Sequence, residues 1–111
     1  MLIYKKEGML INLSRFDMFY IAPVGSLEIP RLFAKQLSTG EVVCLADAAE
    51  IKQDVNGAVL EPMEKELDFF MDFFFIKFMQ YLKRENTFFA YDTIIYDIIA
   101  TSNSNYTNKR R

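Results

Sequence analysis

Residues 61–85 read EPMEKELDFFMDFFFIKFMQYLKRE, and this stretch decides the fold. Six of the eleven phenylalanines fall inside it, at Phe69, Phe70, Phe73, Phe74, Phe75 and Phe78. Read at 3.6 residues per turn, it predicts a long helix whose apolar surface is wider than one face. Pro62 suits the first helical position, because its missing N–H would be unpaired there anyway. Glu61, Glu64 and Glu66 complement the positive N-terminal end of the helix dipole, and Lys83 with Arg84 complement the other end. Asn86 is a natural stop.

The apolar residues divide into two stripes. Met63, Leu67, Phe70, Met71, Phe74, Phe78, Tyr81 and Leu82 make one continuous face, expected to lie on a sheet. Burying such side chains is worth roughly 1.5–3 kcal/mol each, so this face is a major stabiliser. Phe69, Phe73 and Ile76 lie on the far side at i, i+4, i+7, flanked by Phe75 and Met79. A second apolar stripe among Asp68, Asp72 and Lys83 implies a second packing partner.

Upstream, the patterns are those of strands. Leu2–Lys6 and Met9–Leu13 flank Glu7-Gly8 and predict a β-hairpin, with Gly8 expected to supply the positive φ of the turn. Phe16–Ala22 predicts a third strand that is apolar on both faces. Residues 23–30 carry a proline at each end and predict a loop, whose Val24, Leu27 and Ile29 are apolar. It is expected either to fold back over the sheet edge or to act as a binding loop. Arg31–Leu37 and Glu41–Ala46 predict a second hairpin turning through Ser38-Thr39-Gly40. Cys44 in its second arm is expected to be a small buried hydrophobe. Asp47 with Glu50 three residues on is a capping-box-like start for a short helix, Ala48–Val55, which Asn56-Gly57 ends. Ala58-Val59-Leu60 links it to the long helix.

Downstream, Phe88, Tyr91, Ile95 and Ile98 fit helical spacing, yet Thr, Ile, Tyr and Phe also favour strands. The length of Thr87–Ala100 favours a second helix, folding back on the first as a helical hairpin. Residues 102–111 read as a polar, disordered tail ending in Lys109-Arg110-Arg111. The expectation is therefore α+β. An antiparallel meander of four to five strands in the N-terminal half packs against the long helix and a second one. Residues 1–101 form a single domain.

Composition narrows the function. With 51% hydrophobic and 25% charged residues in 111, the chain is a globular domain. Its net charge is −2, shared equally between the halves, so no basic face exists for direct nucleic-acid binding. There is one cysteine and no histidine, which removes disulfides within the chain, cysteine-cluster zinc sites and every histidine-based catalytic set. The four glycines stand far apart, so no phosphate-cradling loop is present. Charged residues interrupt the Phe-rich stretch, so it does not span a membrane. The first residues lack the apolar core of a signal peptide, and a cytoplasmic protein is expected.

Glu64, Asp68 and Asp72 share one helix face and are expected to form an acidic solvated ridge. A hard cation needs six or more oxygens, and no loop supplies the rest. Asp92 and Asp97 do not share a face. No nucleophile, base and oxyanion donor occur together. No catalytic, cofactor or metal residue is assigned, and a non-enzyme is expected.

The run Gly8-Met9-Leu10-Ile11-Asn12-Leu13, followed by Phe16, Phe19 and Ile21, a hairpin and a long helix, resembles small uncharacterised bacterial and phage proteins of β-meander-plus-helix type. The resemblance covers about residues 1–85. It implies an accessory, adaptor or inhibitor role and transfers no catalytic residue.

The functional expectation is a protein-interaction module that binds itself or another protein. Its candidate contacts are Phe69, Phe73 and Ile76, with Val24, Leu27 and Ile29 as a second patch. The alternative is a small apolar-ligand carrier with a pocket between sheet and helix.

Overall fold

A computed structural model describes residues 1–55, 66–84 and 87–110, with residues 66 and 102–110 as backbone. The protein has an α+β fold. Five strands lie in the N-terminal half: β1 (Ile3–Lys6), β2 (Met9–Asn12), β3 (Met18–Val24), β4 (Ile29–Lys35) and β5 (Val42–Asp47). Helix α1 (Ala48–Asp54), helix α2 (Glu66–Leu82), strand β6 (Phe88–Ala90) and helix α3 (Tyr91–Arg110) follow.

The strands form two sheets, β2-β1-β6 and β3-β4-β5. The break falls at Leu13–Arg15, which turn as a 3-10 helix instead of continuing β2. Asn12 caps that turn by accepting the Ser14 N–H at 3.0 Å. Asp17 then seats β3: its N–H donates to Lys35 O at 3.0 Å, and its carboxylate accepts the Leu37 N–H at 2.7 Å.

The first hairpin forms as its sequence predicts, but Glu7 and not Gly8 takes the left-handed conformation, with φ 54°. The expected loop at 23–30 is also different. Residues 18–24 and 29–35 pair as one continuous hairpin, with Pro23 opposite Pro30, and only residues 25–28 turn. Prolines usually argue against a strand because they cannot donate to the ladder. Here Pro30 lies beyond the last β5 partner, Asp47 opposite Arg31, so no bond to β5 is lost.

Sheet β3-β4-β5 buries one face. Along β4 the pattern alternates, with Pro30, Leu32 and Ala34 buried and their neighbours half-exposed. A β-bulge opposite Leu32 and Phe33 turns both Leu45 and Ala46 into the core. The bulge leaves the Leu45 carbonyl to a side-chain partner, the buried hydroxyl of Tyr4, which donates to it at 2.8 Å. Cys44 ends on the other face, opposite Phe33, and is exposed; the expected buried hydrophobe is corrected by this register.

Asp47 caps α1 as expected, accepting the N–H groups of Ala49 and Glu50. The expected stop at Asn56-Gly57, the link 58–60 and the start of the long helix through Glu61, Pro62, Met63 and Glu64 lie outside the described residues, as does Asn86. Within α2, Phe70, Met71, Phe74 and Phe78 are buried and Leu67, Tyr81 and Leu82 half-buried, which is the stripe read from the sequence. Phe78 sits where the layers meet. Its ring packs against Tyr4 of β1 at 5.7 Å, Phe19 of β3 at 5.6 Å and Phe89 of β6 at 5.7 Å.

The segment after α2 contains both periods in series. Phe88–Ala90 add to the edge of β1 as a parallel strand, with the Ile3 N–H donating to Thr87 O at 2.9 Å. Phe88 points out and Phe89 in; from Tyr91 onward the buried residues recur at helical spacing. The single helix expected from Thr87 is therefore corrected at its first turn. The hairpin of helices is corrected too. Phe74 meets Tyr91 at 5.5 Å and the Tyr81 hydroxyl donates to Asp97 at 2.9 Å, so α2 and α3 run in the same sense, with β6 as the return. The backbone stays helical through Arg110, where the sequence predicts a tail from residue 102.

Candidate functional site

The two stripes of α2 meet different fates. Phe69 and Phe73 are half-buried against the core, edge to face with each other at 5.6 Å, and Phe69 also meets Phe70 at 5.4 Å. Ile76, one turn on, is 57% exposed, and Met79 37%. The expected far-side surface is thus reduced to its C-terminal half. Of the acidic ridge, Asp68 and Asp72 are exposed on the same helix, and Glu64 lies outside the described residues.

The second expected patch is assembled by the β3-β4 hairpin. Val24 and Ile29 pair at its end, and Leu27 at the tip is 80% exposed. These residues belong to a larger surface that the sequence reading missed, because it took 23–30 as a loop. On the face of the sheet away from α2, Tyr20, Phe33 and Cys44 form one row, and Met18, Lys35 and Val42 the next. The Tyr20 and Phe33 rings meet at 5.5 Å, while Met18 and Val42 are 44% and 45% exposed. The first sheet has the same property. Ile3 and Phe88 are in register on its outer face, with Leu10 in the next row opposite Lys5, and Phe88 and Leu10 are largely exposed. A period-two pattern that is apolar on both faces was the available signal.

A groove of about 460 Å³ runs beside β2 toward the start of β5. Met9, Leu10, Ile11, Phe16 and Val43 supply apolar lining, and Arg15 and Glu41 form an ion pair at its rim. The Arg15 guanidinium lies 4.9 Å from the centre of the Phe16 ring, which steadies it there.

A polar cluster joins the first sheet to α1. Lys6 Nζ lies 2.8 Å from Glu50 Oε1 and 5.3 Å above the Tyr91 ring, and the Tyr91 hydroxyl donates to Asp54 Oδ2 at 2.7 Å. Burial, then the bond to Asp54, pushes the Tyr91 phenol well above its ordinary range; burial, then the charge of Glu50, does the same for Tyr4. Both phenols stay protonated as hydrogen-bond donors. Arg31 Nε donates to Asp47 Oδ2 at 2.7 Å, tying β4 to the cap of α1. Partial burial raises the Cys44 thiol, which keeps it from acting as a thiolate. The cluster works as a joint between layers.

Among the described residues no three acidic or thiol side chains converge as a metal site, and no helix is long and apolar enough to cross a membrane. Comparison with known protein families, with curated proteins and with solved structures finds no match for the chain.

Proposed function

We propose that the protein is a non-enzymatic interaction module that binds a second copy or another protein through apolar sheet and helix surface. One observation carries this reading. Both sheets bury one face and leave the other open with apolar side chains in register, Ile3 beside Phe88 in one and Tyr20 beside Phe33 in the other. An open sheet face in a self-contained domain is normally polar, and contiguous apolar surface marks a binding site. Exposed Ile76 on α2 and Leu27 at the hairpin tip extend it. The interlocked rings of Tyr4, Phe19, Phe78 and Phe89 favour this over a ligand pocket between sheet and helix. A small adaptor or inhibitor role fits the size and slight acidity of the chain. One free thiol, Cys44, suits the reducing cytoplasm.

The test is affinity capture and solution molar mass for the wild type and for Leu27→Asp, Ile76→Asp and Phe88→Asp. These side chains are exposed, so each variant should fold and melt like the wild type. Loss of capture or of self-association in at least one supports the reading. A monomer that captures no protein overturns it.

A further inference from the structure

Four side chains of α2, Asp72, Ile76, Met79 and Lys83, recur at i, i+4, i+7 and i+11 and so line one stripe of the helix. The helix is unbroken from Glu66 to Leu82, and the Lys83 N–H still donates to Met79 O at 3.3 Å, so the spiral carries through Lys83. All four residues are exposed, on the side of α2 away from the buried Phe70, Met71, Phe74 and Phe78. Their alternating spacing is that of the seam between two paired helices, where side chains of one enter gaps of the other. The two apolar residues stand in the middle, with an acid at one end and a base at the other. The helix dipole does not account for that acid, because it acts within the first and last turns and Asp72 lies beyond the turn that Glu66 begins. Asp72 and Lys83 stand ~16 Å apart along the axis, too far to pair within one chain. Among the described residues neither side chain joins an ion pair. The next cation, Arg84, is turned aside, with its guanidinium 4.7 Å from the centre of the Tyr81 ring.

We propose that α2 pairs antiparallel with α2 of a second copy along this stripe. In that register Ile76 lies level with Met79 of the second copy, and Met79 with its Ile76, which makes two apolar layers. The same register sets Asp72 level with Lys83 of the second copy at each end, so complementary charges close the seam on both sides. Parallel pairing would set Asp72 against Asp72 and Lys83 against Lys83. Acid, apolar centre and base in that order form a stripe whose complement is the same stripe reversed, and this selects a second copy as the occupant. One patch then serves both partners, as a twofold contact requires. Half-buried Phe69 and Phe73 edge the seam and widen its apolar part. Lys77, the charge nearest the twofold axis, lies more than a quarter turn from every member of the stripe, so the two copies of it point away from the contact.

The proposal rests on the interaction reading above and names its partner. Its test is sedimentation equilibrium of the full chain, with circular dichroism melts to establish that each variant folds. The mass should rise with concentration toward twice 13.0 kDa. Asp72→Lys alone and Lys83→Glu alone should each raise the dissociation constant by about tenfold, since each sets like charges together at both ends of the seam. The double variant should recover the wild-type constant, because the reversed pairs still match. Ile76→Asp should abolish the dimer. A chain that stays monomeric at ~1 mM, a dimer indifferent to Ile76→Asp, or a double variant no tighter than the single ones overturns the α2 pairing. Capture of another protein, or a dimer broken by Leu27→Asp or Phe88→Asp instead, then leaves the interaction reading standing. A monomer that also captures no protein overturns both.

Discussion

Phe78 shows how much one side chain can carry. It is fully buried and touches rings from both sheets, so its loss opens a cavity that no single element can relax to fill. Phe78→Ala should destabilise the protein by ~3–5 kcal/mol, read as a lower urea midpoint with an unchanged slope. Phe74→Ala belongs to the same class, because Phe74 is also fully buried. Both residues were legible, since helical spacing alone places them on the broad apolar face. Their partners were not. That Tyr4, Phe19 and Phe89 converge on Phe78 depends on strand order, which no local pattern contains. Cys44 marks the same limit: whether it points in or out depends on the register of β5 and its bulge.

Among the elements, the turns and the last strand were hardest to read. The β3-β4 hairpin turns with Gly25 at φ 79° and Glu28 at φ 51°, and only glycine takes such angles without cost. Glu28→Gly should therefore raise stability by about 0.5–1 kcal/mol, whereas Gly25→Ala should lower it by about 1 kcal/mol. Thermal melts of the two variants should shift in opposite directions. The proline pair was misread for a physical reason: a proline costs a strand only where a neighbouring acceptor needs its N–H. Strand β6 was hidden because three residues are too few to show a period, and its partner β1 lies more than eighty residues earlier. The cap of α1, by contrast, was readable in Asp47 and Glu50, because capping is a local transaction between a side chain and the next two or three amides.

At the scale of the molecule, neutral phenols tie β1 to β5 through Tyr4 and α3 to α1 through Tyr91, and that gives stability a pH limit. The phenols of Tyr4 and Tyr91 hold their protons in the folded protein beyond pH 10, where the unfolded chain releases them. Their contribution is complete below about pH 10 and is lost as pH rises from there toward the folded values, because the unfolded state then binds fewer protons. Urea midpoints should be flat through neutral pH and fall above pH 10. In Tyr91→Phe that alkaline fall should be shallower, and an unchanged slope would contradict the assignment. The sequence by itself determined the α+β class, the long helix with its core-facing stripe, the first hairpin and the capped short helix. Each of these rests on a periodicity of 2 or 3.6, or on a cap, that closes within a few residues. Only the tertiary structure decided that the strands split into two sheets, that β6 completes the first, and that Phe69 and Phe73 are half-covered while Ile76 is not. It also decided which apolar faces stay open. Those outcomes depend on which distant segments meet, and burial is a property of the meeting rather than of either segment alone.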